Sequence, residues 1–265
     1  MLWRCSEIDG YRIAARDGEI GRVDDMLFDE ARWTVRWLVV DTGHWLAGRR
    51  VLLPPAVLGH PDIETRSFPV DLTRQQVESS PAFDTDRPVS RQLEAGLYDF
   101  YGWSPYWNDD LMPPLSYLSG GAGSGFLYMP EAREPAAAQS AGDKPTGTPQ
   151  EHGDPALFSI GDTTGHGIRA SDGDIGHVED FLVEEEGWRV RYMIVDTRNW
   201  LAGRKVLISP QWISAVDWPE RRVHVELSRH AIETSPEFDP TRPLARDYED
   251  ALHGHYDKPG YWPRD

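Results

Sequence analysis

DGEIGRVDDMLFDEARWTVRWLVVDTGHWLAGRRVLLPP, residues 17–55, is matched without a gap by DGDIGHVEDFLVEEEGWRVRYMIVDTRNWLAGRKVLISP, residues 172–210, at an offset of 155. The offset continues through LTRQQVESSPAFDTDRPVSRQLEAGLYDFYGWSPYW and LSRHAIETSPEFDPTRPLARDYEDALHGHYDKPGYW, where Trp107 meets Trp262. Self-similarity at a fixed spacing marks a duplicated structural unit. One copy runs from about Gly10 to Trp107 and the other from Gly165 to Trp262. Between them, GGAGSGFLYMPEAREPAAAQSAGDKPTGTPQEHGDP is rich in Gly, Pro, Ala and Ser and reads as a linker. The expected organisation is residues 1–110 for the first unit, 111–160 for the linker and 161–265 for the second unit.

The first half of each unit reads as β-structure. Asp17-Gly18 and Asp172-Gly173 are hairpin dipeptides, because Gly accepts positive φ and Asp bonds its own backbone. In WTVRWLVVDT, Trp33, Val35, Trp37 and Val39 share one face while Leu38 and Val40 take the other; Trp188, Val190, Tyr192 and Ile194 oppose Met193 and Val195 in the second copy. Further strands are expected at 50–53 and 205–208, with others ending at Val70 and Val225. Short strands, tight turns and no βαβ alternation predict a small closed barrel. The second half reads as two short helices. Thr73 with Gln76, and Ser228, supply N-terminal caps; Pro81 and Pro236 stop these helices. Pro88 and Pro243 suit the first position of a second helix, where Val89, Leu93 and Leu97, or Leu244, Tyr248 and Leu252, recur every four residues. An aromatic tail follows each.

Lys and Arg number 27 against 44 Asp and Glu, a net charge of −17 at pH 7. That field opposes phosphate backbones and anionic lipid, so nucleic acid and membrane surfaces are not expected partners. The single cysteine, Cys5, excludes an intrachain disulfide and any multi-cysteine metal site. No signal-like or membrane-length apolar run is present, which predicts a soluble cytoplasmic protein.

Candidate chemistry is sparse. Asp25 and Asp180 fall, by strict alternation, on the face of Val23 and Leu27 or Val178 and Leu182. They read as structural carboxylates that accept backbone N–H bonds or pair with Arg36 and Arg191, against a minority reading as ligands or general bases. Trp45 with Arg49, and Trp200 with Arg204, are repeated basic-aromatic clusters. Tyr106 with Trp107, and Tyr261 with Trp262, are candidate contact residues, since such side chains are enriched at interfaces. His253 and His255, two apart, point away from each other on a helix and suggest no metal site. No catalytic motif is present, and no cofactor or metal is expected.

The segments DGEIGRVDDMLFD and VVDTGHWLAGRRVLL, with their second copies, resemble PRC-barrel domains, a family of small SH3-like β-barrels shared by the photosynthetic reaction-centre H subunit and the ribosome maturation factor RimM. The SPAFDTDRPVSRQLEAGLYDFYGWSPYW pattern is similar to the extension that follows the barrel in stand-alone bacterial members. The resemblance implies a mainly β chain with short helices, two tandem barrels each carrying a two-helix extension. It implies a non-enzymatic protein-interaction, assembly or regulatory module; the alternatives are a RimM-like RNA-processing or ribosome-assembly factor, and a small-ligand or metal-binding protein. A protein partner is expected, together with packing of the two units about a pseudo-two-fold axis, Leu93, Leu97 and Tyr101 facing Tyr248, Leu252 and Tyr256.

Overall fold

The computed structural model describes residues 1–81, 89–108, 157–197 and 204–262. They belong to two bodies, Met1–Pro88 with Pro155–Asp265, and Val89–Asp154. In the first body, the first repeat opens with β1 (Leu2–Arg4) and a single helical turn, α1 (Cys5–Ile8). The hairpin of β2 (Arg12–Ala15) and β3 (Gly18–Asp29) follows, then β4 (Thr34–Asp41), β5 (Arg50–Leu53), β6 (Ser67–Pro69) and α2 (Arg74–Glu78). The second repeat begins at β7 (Leu157–Ser159) and α4 (Ile160–Thr163). It continues with β8 (Gly167–Ala170), β9 (Gly173–Glu184), β10 (Val190–Asp196), β11 (Lys205–Ile208), β12 (Ile213–Asp217), β13 (Arg222–Val225), α5 (Arg229–Glu233) and α6 (Arg246–His255). The Val89–Asp154 body contributes α3 (Arg91–Tyr101) and a 3-10 turn at Tyr106–Asn108.

The strands form two sheets of matching order, β5-β4-β3-β2-β6 and β11-β10-β9-β8-β13-β12. All pairings are antiparallel except β2 with β6 and β8 with β13. Among the described residues both sheets are open at their ends, where the sequence pattern predicts closure. The proline-led turns Pro55–Val57 and Pro210–Trp212 follow β5 and β11, and proline has no N–H with which to extend a ladder. The second glycine of each DGxIG segment has a steric cause. A Cβ on Gly21 would overlap the Asp41 carbonyl, and one on Gly176 that of Asp196. Trp37, Phe28, Leu38 and Leu53, and Tyr192, Phe181, Met193 and Ile208, are fully buried in the two cores.

Each sheet also receives a strand from the other repeat. β1 pairs antiparallel with the end of β9, Leu2 opposite Glu184 and Arg4 opposite Leu182. β7 pairs in the same way with the end of β3, Leu157 opposite Asp29 and Ser159 opposite Leu27. Between the exchanged strands the β3–β4 and β9–β10 turns meet. Val35 donates its N–H to the Trp188 carbonyl at 2.8 Å, and Val190 donates to that of Trp33 at 2.7 Å. Thr34 bridges Arg189, its own counterpart at the 155 offset, so a local two-fold axis passes between them. Trp33 and Trp188 take positive φ, 52° and 53°, a left-handed backbone costing roughly 1–2 kcal/mol per residue. These carbonyl contacts hold it in place.

The caps form as the sequence pattern predicts: Thr73 and Gln76 close a reciprocal capping box, and the Ser228 hydroxyl accepts the Ala231 N–H. The longer helices start later than the prolines suggest. α3 begins at Arg91, where the Ser90 hydroxyl accepts the Leu93 N–H, and α6 at Arg246, three residues beyond Pro243; Pro88 lies outside the described residues. Their buried faces also differ from the predicted stripe. α3 buries Glu94, Leu97 and Tyr98, and α6 buries Glu249, Leu252 and His253.

Candidate functional site

A β-bulge between Val23 and Asp25, and the matching one between Val178 and Asp180, break the strict alternation of β3 and β9. The carboxylates are aimed at the helical turns that follow the exchanged strands. Asp25 accepts the N–H of Gly161 at 3.0 Å, the Ser159 hydroxyl at 2.5 Å and the N–H of Met26 at 2.7 Å. Asp180 accepts the N–H of Ser6 at 3.2 Å, the Ser6 hydroxyl at 2.5 Å and the N–H of Phe181 at 2.8 Å. Ser6 and Gly161 are counterparts at the 155 offset. Each repeat therefore holds the leading turn of the other by the same carboxylate. Burial raises both carboxyl pKa values, and the hydrogen bonds they accept pull the other way. Arg36 and Arg191 pair with Asp29 at 2.5 Å and Glu184 at 2.6 Å rather than with Asp25 and Asp180. Cys5 is buried beside these clasps; desolvation first, then Asp180 and Asp25, push its thiol well above the usual range and keep it protonated.

The basic-aromatic clusters close helix ends. Arg49 donates to the carbonyls of Glu78 and Ser80 at the end of α2, and Arg204 donates to those of Glu233 and Ser235 at the end of α5. Those carbonyls lack helical partners, and a cation suits the negative end of the helix. Arg74 stands over the half-buried Trp45 ring at 4.4 Å. Trp200 lies outside the described residues.

The aromatic tails repeat one arrangement on their own helices. Arg91 bonds Glu94 at 3.3 Å and lies 4.1 Å over Trp107, while the Tyr106 hydroxyl reaches Glu94 at 3.2 Å. Arg246 bonds Glu249 at 3.1 Å and lies 4.3 Å over Trp262, while the Tyr261 hydroxyl donates to Glu249 at 2.8 Å. Glu94 and Glu249 are 1% and 3% exposed, charges tolerated at that depth because each is paired and hydrogen-bonded.

A second polar group gathers at Glu249, one that the sequence reading did not single out. The Tyr192 hydroxyl lies 3.0 Å from Glu249 Oε1 and 2.9 Å from His253 Nε2, and His253 Nδ1 lies 2.9 Å from the Pro259 carbonyl. That carbonyl only accepts, so Nδ1 carries the proton. Burial lowers the His253 pKa and keeps the ring neutral; burial and Glu249 hold the Tyr192 phenol well above its ordinary value. The spacing of Glu249 and His253, four apart on a predicted helix, is the signal that points to it. In the first repeat Trp37 and Tyr98 take the places of Tyr192 and His253. His255 turns instead to the Ala231 carbonyl at 2.7 Å. Among the described residues, no group of three or more His, Cys, Asp or Glu is placed to hold a metal ion, and no helix is long and apolar enough to cross a membrane.

The family model described as PRC-barrel domain matches residues 3–77 and again residues 165–230, together more than half of the chain. No curated protein matches it.

Proposed function

The chain belongs to the PRC-barrel domain family, and from that premise we propose that it is a non-enzymatic interaction and assembly module with a protein partner. The observation that carries this reading is the reciprocal strand addition: β1 extends the sheet of the second repeat and β7 that of the first. The domain joins another folded domain by main-chain pairing at a sheet edge, a general mode of protein recognition. The open ends at β5, β6, β11 and β12 offer further edges of the same kind. A chain of net charge −17 favours a partner with a positive surface, reached faster at low salt. The RNA-factor reading has weaker support. It relies on Arg49 and Arg204, whose guanidinium groups are engaged by helix carbonyls.

The test is capture by the intact protein after crosslinking in its own cells, followed by reconstitution with the purified partner. A stoichiometric complex whose association rate falls as salt rises supports the reading. Sub-micromolar binding of a ribosomal RNA fragment at physiological salt, lost in Arg49→Ala or Arg204→Ala, overturns it.

A further inference from the structure

The two repeats differ at one place where the first leaves open what the second fills. Trp218, just past β12, lays its ring on Phe158 with centroids 3.4 Å apart and planes 5° from parallel. It stands 6.4 Å from Phe28 and donates its Nε1–H to Glu30 Oε2 at 3.0 Å. The 155 offset carries Trp218 to Ile63, Phe158 to Trp3, Phe28 to Val183 and Glu30 to Glu185. Ile63 is turned out to solvent, 59% exposed. A cavity of about 190 Å³ is lined by Trp3, Ile8, Phe68, Val183, Glu185 and Trp188. Its walls are thus the counterparts of the groups that hold the Trp218 ring.

We propose that this cavity binds a planar aromatic ring bearing an N–H donor, an indole by preference, seated on Trp3 with its N–H on Glu185. An apolar cavity of about 150 Å³ takes up benzene, so the space suits a bicyclic ring. Glu185 Oε1 meets His60 Nδ1 at 3.0 Å and Oε2 lies 3.9 Å from the N-terminal amino group. Both partners are largely exposed, so an incoming donor competes with water-accessible groups rather than with buried ones. Glu186 also lines the space, as does Glu184, whose charge Arg191 already balances; the carboxylates of Glu185 and Glu186 favour an indole that carries an amine over one that carries an acid. The ring can come from a free indole amine or from a tryptophan side chain of a partner, and the chemistry of the seat is the same. The proposal is independent of the assembly reading: failure to capture a partner leaves the titration below untouched.

The test is calorimetric titration of the full chain with tryptamine, with indole-3-acetate and with a blocked pentapeptide carrying a central tryptophan. The expected result is one equivalent of ring bound per chain. Tryptamine should bind at least ten-fold more tightly than indole-3-acetate. Ile63→Trp, which supplies the first repeat with its own indole, should abolish binding, with its circular dichroism unchanged. Trp218→Ala should add a second equivalent; if it does not fold, Ile63→Trp decides alone because it adds packing. Tighter binding of the peptide supports a partner's side chain as the source, and tighter binding of tryptamine a free ligand. No wild-type binding at millimolar ligand, or binding unaltered in Ile63→Trp, overturns the proposal. Equal affinity for indole-3-acetate overturns the preference for an amine-bearing ring.

Discussion

Asp25 and Asp180 show what one carboxylate does when two segments distant in sequence meet on it. Removing either leaves backbone donors and a hydroxyl unpaired in a partly buried place. Asp25→Ala is expected to lower stability by about 1–3 kcal/mol, read as a shift in urea midpoint at unchanged slope; a midpoint equal to wild type contradicts the clasp. Because burial raises these carboxyl pKa values, the sign of the pH dependence follows. Between the ordinary carboxylate value near 3.9 and the higher native value, the folded state holds more protons than the unfolded one. Stability contributed by these groups is full below that window and is lost as pH rises through it. Asp25→Asn with Asp180→Asn should flatten this part of the profile, which urea midpoints from about pH 4 upward will show. His166 works in the opposite sense. Neither of its ring nitrogens has a hydrogen-bond partner, and burial, then Arg221, depress its pKa. As pH falls through the ordinary imidazole value near 6.5, the unfolded chain takes up a proton that the native ring refuses, and stability drops. His166→Tyr, which copies Tyr11 of the first repeat, should reduce that acid loss while leaving stability at pH 8 equal or higher. An undiminished loss below pH 6.5 would remove His166 from the account.

At the scale of elements, short helices depend on what closes their ends. α2 and α5 have five residues each, too few to persist without tertiary support. Arg204→Ala should cost roughly 1.5–3 kcal/mol, and hydrogen exchange should show α5 losing protection before β10. Arg204→Lys should recover only part, because an ammonium cannot present the forked donors of a guanidinium. Equal protection in wild type and Arg204→Ala would rule this out. The strands and caps were legible from local chemistry: β5 and β11 follow from apolar runs, and α2 from its capping box. The faces of α3 and α6 were not, because Glu94 and Glu249 sit where a hydrophobic pattern demands an apolar residue, and partners outside that pattern explain them: Arg91 and Tyr106 for Glu94, and Arg246, Tyr261 and the distant Tyr192 for Glu249. Likewise Arg49 beside Trp45 reads as a basic-aromatic cluster in sequence, whereas its donors are used on carbonyls about thirty residues later.

For the whole molecule, the exchanged strands tie the two sheets into one cooperative body. β1 and β7 are three residues long and carry no turn or period of their own, so their destination on the opposite repeat could not be read from LWR or LFS. The duplication itself was legible, and so was the family, since both rest on residues that recur at the 155 offset. The structural expectation is a single unfolding transition with equal calorimetric and van't Hoff enthalpies. Asp25→Ala should weaken exchange protection in both repeats alike. Two resolved transitions, or a loss confined to the first repeat, would contradict it.

The pairing of β1 with β9 also sets an order of events during synthesis. Leu2–Arg4 is translated about 180 residues before its ladder partner Leu182–Glu184. At about 5 to 20 residues per second, β1 and the buried Cys5 turn wait roughly ten to forty seconds for β9, while β7 reaches the end of β3 sooner, about 130 residues after it. Until β7 arrives the first repeat is an incomplete sheet on the ribosome. A second nascent chain on the same message offers the same missing strand, so closely spaced ribosomes are expected to raise the share of chains that exchange strands with a neighbour, which the dimer fraction after synthesis at high and low ribosome loading will show.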